Sequence, residues 1–413
     1  MSPATLRESL SAMNVQLPSR SLEFELMCLC ARITVDSVAE ARIRALVRQE
    51  VDWNFLIVTA HQHRVLPLLY RSLERVAPDE VPELAIRRLR SAFHANATRN
   101  LFLTGELLQV IDIFRAHDIP CIPYKGPVLA SLVYGDISLR QFADLDVIVP
   151  VKAVARARAL LVARGYRPEK RMSEKELLDP IRTEKDITLF RDNGIELEMH
   201  WGVTTDAHPI QISPQLLWKE LGTHSIAGKS VQTLPYEVLL LIQCIHGATH
   251  GWERLGWLCD VAGIVRSQRG LNWDRAIEHA TVLRGRRILF HGLALARDLL
   301  GAEPPANVLQ AIQEDPVLIP LSEQVKGWLL SESPVPPGER EQFFMRLREH
   351  PADKLRVAFK QAKSYLALTS RDTESFRVPA FLTWMLYVLR PIRLACEYGL
   401  TPFTRFFKGI FQS

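Results

Sequence analysis

The sequence predicts an α+β fold in which a small mixed-sheet core is flanked by an N-terminal and a C-terminal helical region. Three observations carry that reading. Before residue 105 apolar residues recur at helical spacing, as in Trp53, Leu56, Ile57 and Ala60, with polar and basic residues between them. Between 105 and 232 the pattern changes to short β-branched and alternating runs, the clearest being Leu145-Asp146-Val147-Ile148-Val149, stopped by Pro150. After residue 233 helical spacing returns. The expected division is therefore 1–104, 105–232 and 233–413, which suits a chain too long for one ordinary core.

Each element follows in chain order. Leu22 to about Glu106 reads as a helical unit, and Leu101 to His117 continues as a helix with Leu103, Leu107, Val110, Ile111 and Phe114 in one stripe. The segment Ile119-Pro120-Cys121-Ile122-Pro123-Tyr124 comes next. Asp144 stands at the entrance of the 145–149 strand. Val151 to Gly165 is rich in alanine and arginine and predicts a helix capped by Gly165. Ile187 to Phe190 and Ile195 to Trp201 predict two strands joined through Arg191-Asp192-Asn193-Gly194, whose Asn-Gly is a hairpin signal. Tyr236 to Val265, Trp273 to Leu283 and Arg287 to Leu300 predict helices, and Pro304-Pro305 and Pro334 to Gly338 predict loops.

Composition narrows the function. Apolar residues make up 47% and charged residues 23%, a globular balance that excludes disordered and fibrous classes. The 51 basic and 46 acidic residues leave a net charge of +5, and the basic residues are scattered, so there is no strong nucleic-acid signal. A nucleotide phosphate or an anionic membrane surface suits this charge equally well. The six cysteines lack paired CxxC spacing, and Cys28-Leu-Cys30 reads as a buried helical pair rather than a metal site. No secretory pattern opens the chain, so a cytoplasmic location is expected. Val378 to Leu389 is apolar but too short to span a bilayer. Phe403, Phe406, Phe407, Ile410 and Phe411 recur at helical spacing, which suits docking on the protein's own core, a partner interface, or peripheral membrane contact.

The chemistry is sought in the middle region. In a strand the period of two points Asp144 and Asp146 to one face and Leu145 to the other. Two carboxylates on one face repel unless a cation lies between them, and Mg2+, which takes oxygen ligands, is the natural occupant. Ile195-Glu196-Leu197-Glu198-Met199-His200 alternates in the same way, so either glutamate can supply a third acid. Three carboxylates suit two-metal phosphoryl or nucleotidyl transfer. Upstream, Lys125-Gly126 lies at a strand-to-helix junction where a phosphate can approach the backbone, and Arg140 offers a bidentate donor to the same phosphates. His200 shares the face of Glu198 and can orient a carboxylate or the acceptor.

These residues together resemble the DNA polymerase β-type nucleotidyltransferase superfamily, and more closely its bacterial branch of uncharacterised nucleotidyltransferases. The resemblance rests on Lys125 to Ala130, Arg140 to Val149, and Glu198-Met199-His200-Trp201. Flanking support comes from Asp52-Trp53 to Ala60, His63 and Pro67 to Tyr70, and from His246, His250, Trp252, Arg254, Leu255, Trp257 and Asp260, so that it covers roughly Val51 to Val265. It implies a Mg2+-dependent transfer of a nucleoside monophosphate from a nucleoside triphosphate, ATP first among them, to an acceptor hydroxyl. It also implies Asp144, Asp146 and Glu198 as catalytic metal ligands and Lys125, Gly126 and Arg140 as nucleotide contacts. The acceptor, a small molecule, peptide or protein, is not specified. One departure is that Lys125-Gly126 stands where the superfamily has Gly-Ser.

Other motifs have bland readings beside them. His246 and His250 are four apart, but Gly247 replaces the glutamate of a zinc-protease motif, so with Asp260 they are expected to line the acceptor pocket or serve structure. Gly228-Lys229-Ser230 lacks the first glycine of a phosphate-binding loop. His61-Gln62-His63 reads as an exposed helix end. The rival to the enzyme is a catalytically silent scaffold that binds a nucleotide or a partner in a biosynthetic system.

Overall fold

The computed structural model describes residues 21–169, 184–205, 208–267, 270–331, 333 and 335–350. The N-terminal helices are α1 (Ser21–Cys30), α2 (Ser37–Val47), α3 (Trp53–Gln62), α4 (Leu66–Val76) and α5 (Glu83–Ala116). Asp36 and Asp52 cap α2 and α3 by accepting from the Ala39 and Phe55 N–H groups, which have no partner within their helices. Helix α5 is a single rod through position 104. Its first half, with Ala85 and Leu89, packs into the helical core, and its second half covers the sheet with Leu103, Leu107, Val110 and Phe114.

The sheet has five strands, β1 (Ile122–Pro123), β2 (Asp144–Ile148), β3 (Arg167–Pro168), β4 (Asp186–Arg191) and β5 (Ile195–His200), in the order β1-β2-β5-β4-β3. Only β2 and β5 run parallel. Parallel neighbours need a long connection. Here it holds helix α7 (Val154–Ala163) followed by β3 and β4, while the short α6 (Gly126–Leu129) and a π-helical turn (Ala130–Tyr134) precede β2. Pro123 donates no hydrogen bond and sits on an edge strand, where none is needed. The turn between β4 and β5 closes at Gly194, whose φ of 77° suits glycine.

A second hairpin, β6 (Gly222–Ile226) and β7 (Lys229–Thr233), was not foreseen, and it turns through Ala227 and Gly228, the latter at φ 78°. Most of its residues are exposed and polar, so its alternation leaves little apolar signal. The remaining helices are α8 (Pro214–Trp218), α9 (Tyr236–Thr249), α10 (Leu255–Ser267), α11 (Trp273–Val282), α12 (Arg286–Leu300), α13 (Ala306–Glu314), α14 (Leu318–Leu330) and α15 (Pro337–Arg346).

The helix expected from Tyr236 to Val265 is broken between α9 and α10. Gly251 and Trp252 take left-handed backbone, at φ 64° and 55°, and turn the fully buried indole of Trp252 back onto α9. A Cβ at Gly247 would lie 2.2 Å from that indole, so the residue that excluded a zinc-protease motif is the seat of Trp252. N-terminal and C-terminal helices share one apolar core that includes Leu26, Leu69, Leu240, Trp252, Leu258 and Leu293. The five cysteines described are free and buried. No described helix is long and apolar enough to cross a membrane. The segments at Val378 to Leu389 and Phe403 to Phe411, and Cys396, lie outside the described residues.

Candidate active site

The parallel register of β2 and β5 sets Asp144 beside Glu196, Asp146 beside Glu198, and Ile148 beside His200. Leu145, Leu197 and Met199 are buried on the opposite face, against α5 and α7. Asp146 is 2% exposed and His200 fully buried. The Nε2 atom of His200 lies 3.2 Å from Asp146 Oδ1 and 3.2 Å from Glu198 Oε2, and its Nδ1 lies 3.2 Å from Asp186 on β4. The Tyr124 hydroxyl is 3.4 Å from the same Nε2. Lys125 donates to Asp146 Oδ1 at 2.9 Å.

Burial alone would raise the Asp146 carboxyl. The Lys125 ammonium and the His200 hydrogen bond outweigh it and hold the group well below the usual carboxylate range. Burial likewise disfavours charge on His200, yet hydrogen bonds to Asp146, Asp186 and Glu198 lift it to about 9. Asp186 is depressed, because the bond to His200 and the charge of Lys185 overcome its desolvation. For Asp144, burial and repulsion from Asp146 win over Lys125 and Arg140, and its carboxyl is raised.

Ligand atoms of Asp146, Glu198 and His200 lie within 4.8 Å of one another, the single such group among the described residues. Asp144 lies at the strand entrance outside that group, and it has no ion pair among the described residues. The buried Asp146 Oδ2 has no hydrogen-bond partner. A buried aspartate with one unpartnered oxygen, grouped with a second acid and an imidazole, fits a divalent cation, and Asp186 behind His200 supplies the usual outer partner of a ligating histidine.

Gly126 has φ 51°, and a Cβ there would come 3.3 Å from the Asp144 carbonyl oxygen. Glycine thus lets the turn after Lys125 lie directly on the start of β2. Arg140 was expected at the phosphates. The structure places its guanidinium on Asp260, with Nε and Nη2 each donating at 2.9 Å, and the Tyr134 hydroxyl donates to the same carboxylate at 2.7 Å. This buried pair ties α10 to the loop before β2. His63, read as part of an exposed helix end, is instead buried. Its Nδ1 accepts from the Leu255 N–H at 3.3 Å, while His61 and Gln62 stay exposed.

On the facing wall, the His246 and His250 rings are 4.7 Å apart, and Trp257 lies 5.0 Å from His246. Burial, then the charges of Lys125 and His250, hold His246 well below the ordinary histidine value, which places this wall near Lys125. Tyr124, Asp186, Lys185 and Trp257 were not singled out from the sequence for roles at the site. Tyr124 and Lys185 each adjoin a residue at the site, but only the folded chain gives the contact. A separate cavity lies between α1, α3 and α14, lined by Phe24, Met27, Phe55, Leu56 and Leu329. Its one carboxylate, Glu23, accepts from the Asp52 N–H, so the chemistry is better placed at the sheet.

An α/β protein whose mixed sheet presents a buried carboxylate–histidine group able to hold a cation is the class these observations define. The profile of the uncharacterised nucleotidyltransferase family matches residues 49–301, and the chain belongs to that family. No curated protein and no solved structure gives a significant match.

Proposed function

We propose that the chain is a divalent-metal-dependent nucleotidyltransferase that moves a nucleoside monophosphate from a nucleoside triphosphate to an acceptor hydroxyl, with Mg2+ and ATP as the first metal and donor to test. The observation that carries this reading is the in-register pairing of β2 with β5, which gathers Asp146, Glu198 and His200 into one group in which Asp146 Oδ2 has no hydrogen-bond partner. Asp146 and Glu198 would hold the ion, with His200 Nε2 and the carboxylate of Asp144 as further donors. Bound there, a divalent ion screens phosphate charge and acidifies an attacking hydroxyl.

The chain's own groups have separable roles. Lys125 neutralises Asp146 in the protein alone, and beside a bound cation its ammonium is free to serve a phosphate oxygen. In the protein alone His200, held from behind by Asp186, fixes the direction of Asp146 and Glu198, and it would give up its Nε2 proton to serve as a donor to the ion. Gly126 brings backbone to the edge of the acids. The Arg140–Asp260 pair positions the β2 entrance. His246, His250 and Trp257 form a wall of the acceptor pocket. We place the protein in the cytoplasm, with any membrane or partner contact falling to the segment around Phe403, Phe406, Phe407 and Ile410.

The test is turnover of each α-labelled nucleoside triphosphate by purified protein with Mg2+ or Mn2+, beside Asp146→Asn and Glu198→Gln. Metal-dependent pyrophosphate release or self-labelling, lost in both variants, is the expected result. Absence of metal-dependent binding of every triphosphate by the wild type would refute it in favour of a silent scaffold.

A further inference from the structure

Arg64 is held in a way that its own turn does not require. It follows α3 in left-handed backbone, at φ 59°, a conformation that costs a side-chain-bearing residue and that glycine or asparagine fills more easily at a helix end. The turn is fastened to the start of α10. The His63 carbonyl accepts from the Gly256 N–H at 2.9 Å, His63 Nδ1 accepts from Leu255, and a Cβ on Gly256 would meet Arg64 Cβ at 3.3 Å.

That fastening sets Arg64 beside Arg254, whose guanidinium lies 5.5 Å from the Trp257 ring centre. Arg140 approaches the same helix further along, but its charge is committed to Asp260. Among the described residues neither Arg64 nor Arg254 forms an ion pair. Arg64 is half-buried, and burial and the neighbouring Arg254 and Arg140 weaken its hold on its proton, with Asp144 and Asp260 opposing them. The turn is also tied to the entrance of β2: Gln141, three residues before Asp144, accepts from the Leu66 N–H at 3.2 Å and lies 3.3 Å from the His61 ring, on either side of Arg64, so Arg64 and Arg254 stand with Arg140 on that side of the sheet. Partly dried cations in such numbers are stable beside an anion, and the planar fork of arginine matches phosphate oxygens.

We propose that Arg64 and Arg254 form a clamp beside Asp144 for the β- and γ-phosphates of the donor triphosphate. The proposal rests on the transferase reading above. It gives the N-terminal and C-terminal helical regions one grip each on the leaving pyrophosphate.

Titration calorimetry with inorganic tripolyphosphate, on the full chain in EDTA, tests it directly. Wild type is expected to bind, and Arg64→Gly and Arg254→Met each to bind about tenfold more weakly or worse, the loss of a charge-assisted bond. Arg64→Gly suits the left-handed turn, so its melting temperature should equal or exceed that of wild type, which separates lost binding from lost fold. Unchanged tripolyphosphate affinity in Arg64→Gly overturns the proposal. ATP binding that weakens with tripolyphosphate while AMP binding stays constant supports the donor tail. An equal loss for AMP overturns that assignment in favour of a site for a single phosphate, such as one on the acceptor. Normal triphosphate turnover by Arg64→Gly would remove the clamp and leave the transferase reading. Arg64-dependent tripolyphosphate binding without turnover of any triphosphate would support the clamp and remove the transferase reading.

Discussion

Two buried histidines make the fold acid-sensitive, and the size of the effect can be worked out. His63 is pushed down to about 4 by burial, and His291, fully buried on α12, to about 3. Both shifts lower the folded-state value below the ordinary 6.5. The unfolded chain therefore binds more protons, and stability is complete above pH 6.5 and is lost as pH falls toward the folded values. From pH 7.5 to pH 5 each histidine costs about 2 kcal/mol, at 1.4 kcal/mol per unit, so the pair costs about 4 kcal/mol. His200 has the opposite sign, because its raised value of about 9 favours the folded state at low pH. Over the same interval it returns about 1 kcal/mol, so these three leave a net loss of about 3 kcal/mol against a total on the order of 10 kcal/mol, and the depressed His246 adds to that loss. Urea denaturation in EDTA at pH 7.5, 6 and 5 measures this. The double variant His63→Asn, His291→Leu keeps an acceptor for the Leu255 N–H and removes both titrations. Its stability should fall toward pH 5 with a clearly shallower slope than that of wild type, the remaining loss coming from His246 and His250. A wild type as stable at pH 5 as at pH 7.5, or a double variant with the wild-type slope, would refute the reasoning.

Gly247→Ala drives a methyl into the Trp252 indole, so urea denaturation should show a loss of about 3 kcal/mol or more, and wild-type stability would show that Trp252 moves freely. Arg140→Met leaves a buried Asp260 unpaired and should cost about 3–5 kcal/mol, whereas Arg140→Met with Asp260→Leu should recover most of it; equal losses in the two would deny the pair its role. Wild type is expected to bind Mn2+ saturably in a paramagnetic-resonance titration, and Asp146→Asn should abolish that binding and reduce any nucleotidyl transfer about 1000-fold or more, judged by the several kcal/mol a metal supplies to a transition state. Imidazole in the donor group favours Mn2+ over Mg2+, so His200→Asn should narrow the ratio of the two affinities measured by competition, and an unchanged ratio would place His200 outside the ligands.

Which parts were legible depends on whether their signal was local. The alternation of Asp144 with Asp146, and of Glu196 with Glu198, is a property of neighbouring residues, and the hairpin at Asn193-Gly194 is set by two. Which glutamate stands beside which aspartate is a matter of register between strands, fixed only when β2 pairs with β5. Arg140 was read as a phosphate ligand from its charge and position. Its partner Asp260 is 120 residues away, and charge alone does not reveal a committed guanidinium. The break between α9 and α10 escaped because His250 to Arg254 contains no proline. Left-handed Gly251 ends α9, and the packing of Trp252, which helical periodicity does not encode, completes the bend. Asp186 opens a strand that was read only from Ile187, and nothing near it in sequence points to His200.

The two helical regions, separate in sequence, act as one body on the site. Helices from both ends bury their apolar faces in a common core, and Cys259 on α10 donates its thiol to the Ala31 carbonyl at 3.5 Å. One chain of contacts to the β2 entrance then runs through both regions. His63 from the N-terminal region fastens the start of α10, Asp260 on α10 holds Arg140, and Arg140 stands four residues before Asp144. The loop that leads into Asp144 is therefore held by a relay through N-terminal region, C-terminal region and Arg140, while the Asp146 carboxylate is held within the sheet by Lys125, His200 and the register with Glu198. The two acids of one short strand have different anchors. On the proposed transferase reading, a shift between the helical body and the sheet would act first on the loop before Asp144 and leave Asp146 held by its own contacts, so the spacing of the two carboxylates is where such a shift would be felt.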